Sequence, residues 1–321
     1  MAISVIDPVG PAIERTKRIL FQPFDFGKWL GLGFCAFLAS MVDGCGGGGG
    51  GGGGGSGGGG GFPRPGGPDA PGDQGIDFEP VRDWVMENLT LLIAIVVAVL
   101  LVGFAIGLLV TWLGSRGRFM LLDGIVRNRG AVVEPWREYR REGNSHFKFV
   151  FCFGLIGFLV FVLILAAGGL IAWPDIREQQ FGQAAIVAIV WGVVAILGFS
   201  IAMGVINLFL KDFVAPIMYL RRVTVMEAWR IFGREMLAGR KGTICIYVLF
   251  RIVIAFATGI LATFVICCTC CLAAIPYVSS VVLLPLTVFI YSYSLYFLQQ
   301  FGPKWQVFAE SDTPPVRVDP V

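Results

Sequence analysis

The chain has 321 residues, 56% of them hydrophobic, and a mean hydropathy of +0.76, too apolar to close around one water-soluble core. Charged residues make up 15%, against about a quarter in soluble domains, so the composition reads as an integral membrane protein. The net charge of +3 comes without a basic run, which argues against a nucleic-acid partner, and a lone histidine, His146, excludes histidine-rich metal chemistry.

A bilayer core of about 30 Å takes about 20 apolar residues per helix. The first candidate span is residues 26–42, FGKWLGLGFCAFLASMV, at the short end of that range, with Lys28 placed to snorkel to the headgroups. A cleaved signal sequence is the competing reading, since VDGC at 42–45 hints at a lipoprotein cleavage box; Asp43 and the 25 residues ahead of the run weigh against it. Residues 46–61 are fifteen glycines and Ser56, followed by Pro63, Pro65, Pro68 and Pro71. Glycine and proline at this density predict a disordered external loop over 43–80. A phosphate-binding loop would need a strand before it and a helix N-terminus after it, and neither pattern is there.

Long apolar runs at 89–113, 149–173 and 183–210 predict the second to fourth spans. Residues 243–272 predict the fifth, with Arg251 inside it, and 280–301 the sixth, with Pro285 near its start; 302–321 reads as a cytoplasmic tail. Lys and Arg mark cytoplasmic loops. Arg15, Lys17, Arg18 and Lys28 flank the first span; the loop 114–148 has eight Lys/Arg and the loop 211–242 has seven. The intervening loops carry few: Arg64 and Arg82 in 43–88, Arg177 in 174–182, none in 273–279. The alternation predicts six spans with both termini in the cytoplasm and, for a prokaryotic chain, the plasma membrane.

Three cytoplasmic segments repeat. AIERTKRILF begins at Ala12, VVEPWREYRR at Val132 and VMEAWRIFGR at Val225. Each sets Glu14, Glu134 or Glu227 three residues before Lys17, Arg137 or Arg230, a spacing that shares a helical face. Trp136 and Trp229 correspond, while Thr16 departs. RFMLLDGIVRNR (118–129) parallels DFVAPIMYLRR (212–222), aligning Phe119 with Phe213 and Arg127 with Arg221. The predicted fold is therefore all-α: six transmembrane helices in three parallel two-helix repeats, each with an amphipathic helix in the cytoplasmic headgroup plane. The stretch 212–232 and this layout resemble a family of uncharacterised prokaryotic six-span proteins, similar to the membrane domain of glycerophosphodiester phosphodiesterases. The resemblance implies a membrane-embedded accessory role; the acidic metal-binding residues of the soluble phosphodiesterase domain have no counterpart in this sequence.

Within the spans, Arg251 is the costly residue, and with Tyr247 one turn earlier it is a candidate site for an anion or lipid headgroup. Snorkelling to the cytoplasmic surface is its structural alternative, and Asp212 is expected to pair with Arg221, Arg222 or Arg251. Cys267, Cys268, Cys270 and Cys271 crowd the outer end of span five. One short helix cannot fold four thiolates into a tetrahedron, so they are weak metal candidates and read first as packing residues. A disulfide from Cys45 to Cys267 or Cys271 is the testable exception. Gly103 and Gly107 form a GxxxG spacing, and Gly154, Gly157, Gly168 and Gly169 offer close approach in span three. No catalytic constellation and no cofactor motif emerges. The expected function is a non-enzymatic scaffold or accessory role in membrane organisation, with membrane lipids, a second copy or another membrane protein as partners. The alternative is a transporter or channel for a lipid or small anionic solute that uses Arg251.

Overall fold

The computed structural model describes residues 3–45, 87–178, 182–269 and 275–308, and every regular element among them is helical. The glycine tract and the rest of the predicted loop from 46 to 80 lie outside the described residues, as does the tail beyond 308. The chain divides into two compact units, residues 1–52 with 110–321, and residues 53–109. The described part of the smaller unit, from 87 onward, is one apolar helical run.

In chain order the helices are α1 (Val9–Phe21), α2 (Phe26–Cys45), α3 (Leu89–Arg127), α4 (Val133–Glu138), α5 (Arg140–Glu178) and α6 (Gln183–Phe209). A π-helical turn, Leu210–Val214, joins α6 to α7 (Ala215–Arg221). Then come α8 (Val225–Ile231), a second π turn at Phe232–Leu237, α9 (Lys241–Cys268), α10 (Pro276–Val282) and α11 (Leu284–Gln299). Four stretches are long and apolar enough to cross a membrane: Leu89–Arg127, Arg140–Asp175, Gln183–Arg221 and Lys241–Cys268. They hold the predicted spans two to four in full and span five as far as Cys268. The apolar helix at 26–42 is shorter, and α11 has 16 residues, less than a perpendicular crossing needs.

Helices α3 and α5 overrun a bilayer. At 39 residues each they measure about 58 Å, nearly twice the hydrocarbon thickness. Exposure divides α3 sharply. Val99, Leu100 and Leu101 are 64–66% exposed, whereas every residue from Gly114 to Ile125 is buried. The segment 114–148, expected as a cytoplasmic loop, is thus mostly helix, with only 128–132 and Tyr139 between the elements. Arg116, Arg118 and Asp123 are held there inside a protein core and do not face water.

That core gathers the buried ends of α3, α7, α9 and α11 around Phe119, Phe213, Tyr247 and Phe297. Phe213 lies 4.9 Å from Tyr247 and 6.1 Å from Phe297 between ring centres. Helix α1 is strongly amphipathic and buries Ala12, Arg15, Thr16, Ile19 and Leu20, the i, i+3, i+4 spacing of one face. Its apolar face is packed against α11. The chain just past α11 packs as well: Trp305 and Phe308 are 2% and 5% exposed and belong to the core.

Helix α2 packs against the buried half of α3 through glycines. A Cβ on Gly117 would collide with Leu38 Cβ and come within 2.9 Å of the Ala39 nitrogen, and one on Gly114 would lie 2.9 Å from the Leu38 carbonyl oxygen. Backbone on the far side cannot yield, so Gly117→Leu is expected to destabilise the fold by about 1–3 kcal/mol or more. A thermal unfolding series on detergent-solubilised protein reads this directly; an unchanged midpoint contradicts the packing. Of the glycines expected to pack in α5, Gly157 meets Met203 and Gly168 faces Trp191 of α6, while a Cβ on Gly154 or Gly169 would meet nothing within 4 Å among the described residues.

Candidate functional site

Three groups of polar side chains sit inside the apolar core, where each must find a partner or cost stability. The first is built on Asp123, fully buried on α3. Its Oδ1 accepts from Tyr139 and Tyr219 hydroxyls, both at 3.2 Å, and lies 3.1 Å from Arg127 Nε. Its Oδ2 accepts from Arg129 Nε at 3.0 Å and lies 2.9 Å from Arg129 Nη2. Both oxygens are therefore saturated by charged or phenolic donors.

Around Asp123 the network widens. Glu138 is hydrogen-bonded by Arg127 Nη2 at 3.0 Å and by Arg222 Nη2, and Arg129 Nη1 donates to Glu134 at 2.7 Å. Burial works to raise the Glu138 carboxyl, but hydrogen bonds from Arg222 and Arg127 outweigh it and hold the group below the usual carboxylate range. Burial pushes the Tyr139 phenol upward, reinforced by Tyr219 and by the Asp123 charge, so it stays a donor. The rings of Tyr139 and Tyr219 stack at 4.9 Å, with the Arg222 guanidinium 3.9 Å from the Tyr139 centre. The knot ties the end of α3 to α4, α5 and α7. Arg15 of α1 adds a cap, donating to the Ile125 and Val126 carbonyls at 3.2 and 2.9 Å, which are among the last carbonyls of α3.

The second group contains the predicted anion site. Arg251 Nε donates to Asp212 Oδ2 at 3.0 Å, and the Tyr247 hydroxyl donates to the same oxygen at 2.9 Å. The two ionic side chains are 8% and 2% exposed. Asp212 rides on the π turn, where widened winding loosens the ordinary carbonyl ladder. Its own carbonyl takes the Ser294 hydroxyl of α11 as a substitute donor. Arg251 is thus bound to a carboxylate across the helices, one of the pairings expected from the sequence.

The third group centres on His146, fully buried on α5. Arg118 Nη1 stands 3.1 Å from His146 Nε2. A guanidinium only donates, so Nε2 accepts, and the proton is on Nδ1, directed at Ser115 Oγ at 3.2 Å. The ring is neutral in this arrangement. Beyond the rarity of histidine in the chain, no sequence signal pointed to this pairing.

The repeated motif keeps one pattern of exposure. Glu14, Glu134 and Glu227 are exposed, and so are the residues before them: Ile13 at 42%, Val133 at 66% and Met226 at 70%. Glu134 pairs with Arg129, not with Arg137 as its spacing suggested. Trp136 lies against Trp112, and Trp229 against Phe149 and Phe232, all three contacts between 5.6 and 6.3 Å. Cys267 and Cys268 carry free, exposed thiols. Cys270, Cys271 and the Cys45 side chain lie outside the described residues, and with them the predicted disulfide. Among the described residues no group of His, Cys, Asp and Glu could hold a metal ion.

Long apolar helices joined to a helical core whose buried aspartates are ion-paired define an all-α membrane protein. Within that class the chain belongs to DUF7544, a family of unknown function whose profile matches residues 3–284. No curated protein matches it, and no solved structure does.

Proposed function

We propose that this is a non-enzymatic, multi-pass membrane protein that acts as a scaffold or accessory factor in membrane organisation, with six spans in three parallel two-helix units and both termini cytoplasmic. The observation that carries the reading is the pairing of buried charge. Asp123 is held by Arg127 and Arg129, and Asp212 by Arg251, so these two buried aspartates are structural partners and not open proton or solute sites.

The unit repeat has support from the backbone. Asn128 and Arg222 end α3 and α7 with φ of 54° and 55°, the left-handed cap that turns each chain into its motif helix, α4 or α8. The first unit fits the same plan across the termini. Gln300, just past α11, exchanges two 2.8 Å hydrogen bonds with the Ser4 backbone, which leads into α1. Tyr293 adds a 3.0 Å bond to the Val5 carbonyl. So α1 stands to α11 as α4 stands to α3. Helices α2 and α10–α11, the short ones, would then complete the count of six as packed partners. The likeness to phosphodiesterase membrane domains rests on the segment 212–232 and adds an association with lipids.

The alternative, transport of an anion or lipid through Arg251, requires that arginine to leave Asp212. Vesicles reconstituted with the protein separate the two readings. The scaffold reading expects efflux of a trapped anionic dye, and flipping of a fluorescent phospholipid, at the rate of protein-free vesicles. Flux well above that background, lost in Arg251→Leu, would install the transporter instead.

A further inference from the structure

Three buried arginines have evident partners: a carboxylate for Arg251, a ring nitrogen for Arg118, helix-end carbonyls for Arg15. Arg116 differs. It is 6% exposed and its guanidinium lies against two indoles set at right angles, 4.4 Å from the Trp112 ring centre and 4.7 Å from that of Trp136. Its Nη2 donates to the Asn144 amide oxygen at 3.1 Å, which also accepts from Trp112 Nε1 at 3.2 Å. Its Nε finds no acceptor among the described residues. The stem rests on Gly143, where a Cβ would come within 2.9 Å of Arg116 Cγ.

No carboxylate among the described residues forms an ion pair with it. Of the acids close by in sequence, Glu134 pairs with Arg129, and Glu142 stands 3.8 Å from Arg222 with its Oε2 lacking a hydrogen-bond partner among the described residues. A second cation, the exposed Arg140, adds its like charge to Arg116. Aromatic faces and one amide soften a buried guanidinium but do not neutralise it. Arg116, rigidly held and without a carboxylate partner among the described residues, with the like charge of Arg140 acting on it, calls for an anion.

Where the pair sits selects the anion. Trp112 is less than one helical turn beyond Leu109, which at 54% exposure is the last exposed apolar residue of α3. Tryptophans at such an edge mark the headgroup level, where the phosphodiesters of the cytoplasmic leaflet lie. A zwitterionic headgroup would bring its ammonium toward Arg140, so a net anionic lipid fits better.

We propose that Arg116 and Arg140, framed by Trp112, Trp136 and Asn144, bind the phosphodiester headgroup of an anionic phospholipid. The proposal rests on the membrane placement above, but not on the scaffold reading, because flux in vesicles would leave this lipid preference untouched. The test uses full-length protein in a non-ionic detergent, titrated with phosphatidylglycerol or with phosphatidylcholine of the same chains. Retained lipid is counted by native mass spectrometry and the unfolding midpoint is followed in parallel. Phosphatidylglycerol is expected to be retained preferentially and to raise the midpoint. Arg116→Leu should lower that preference about tenfold, the effect of losing one charge-assisted contact. Arg140→Gln, on an exposed side chain that leaves the core intact, should lower it about threefold. Equal retention of both lipids by the wild-type protein, or an undiminished preference in Arg140→Gln, overturns the site. Stabilisation by inorganic phosphate that matches phosphatidylglycerol overturns the lipid as its occupant.

Discussion

Asp123→Ala is expected to be among the most damaging single substitutions in the protein. The carboxylate is fully buried and receives Arg127, Arg129, Tyr139 and Tyr219. Removing it leaves two guanidiniums without their common counter-charge and two phenols without an acceptor. Each buried phenol left without its acceptor costs about 1–3 kcal/mol, while Arg127 and Arg129, 40% and 26% exposed and still paired with Glu138 and Glu134, lose less. The loss should appear as a large fall in the unfolding midpoint and a collapse of the monodisperse elution peak in detergent. Glu134→Ala is the control: its side chain is 63% exposed, so its pair with Arg129 should contribute less than about 1 kcal/mol. Equal midpoints for the two variants would mean that the knot does not hold the helices together.

The contrast between those two acids explains what the sequence could reveal. The runs of Val, Leu and Ile at 89–109 and 183–209 need no partner to be recognised, because lipid is their environment and hydropathy reports it directly. The stretch 114–127 failed the same test for a physical reason. Arg116, Arg118 and Asp123 lower its hydropathy as if they faced water, yet beyond the local Arg127 and Arg129 their partners Asn144, His146, Tyr139 and Tyr219 lie 16 to 96 residues away along the chain. One sequence does not display such pairings. The amphipathic pattern of α1 was legible, but periodicity states that a face is apolar and not whether lipid or protein covers it. Glycine spacing was ambiguous in the same way. Gly103 and Gly107 had the recognisable motif, while the approach of α2 uses Gly114 and Gly117, whose need to be glycine comes from Leu38 and Ala39. The anion site shows the same limit. Arg251 stood out because it interrupts an apolar run, whereas Arg116 lay among other basic residues and only its two tryptophan contacts and missing carboxylate distinguish it.

The Asp212–Arg251 pair allows the structural and functional readings of Arg251 to be separated by a mutant cycle. Arg251→Leu leaves Asp212 buried with Tyr247 as its one remaining side-chain donor, and Asp212→Leu leaves Arg251 buried with no carboxylate. Each single variant is expected to lose about 3–5 kcal/mol. The double variant removes both charges from the same apolar core, beside Phe213 and Tyr247, and should recover most of that loss. Recovery is the signature of two groups that serve each other. If Arg251 instead holds an anion that the cell supplies, Asp212→Leu should strengthen anion binding rather than only destabilise, and the double variant should remain as impaired as Arg251→Leu in any flux or binding assay. Unfolding midpoints for the four proteins, measured beside vesicle flux, decide between these outcomes. The geometry favours recovery: Arg251 Nε and the Tyr247 hydroxyl converge on one carboxylate oxygen, and Ser294 fixes the backbone that carries it, so the cluster is closed by the protein's own groups.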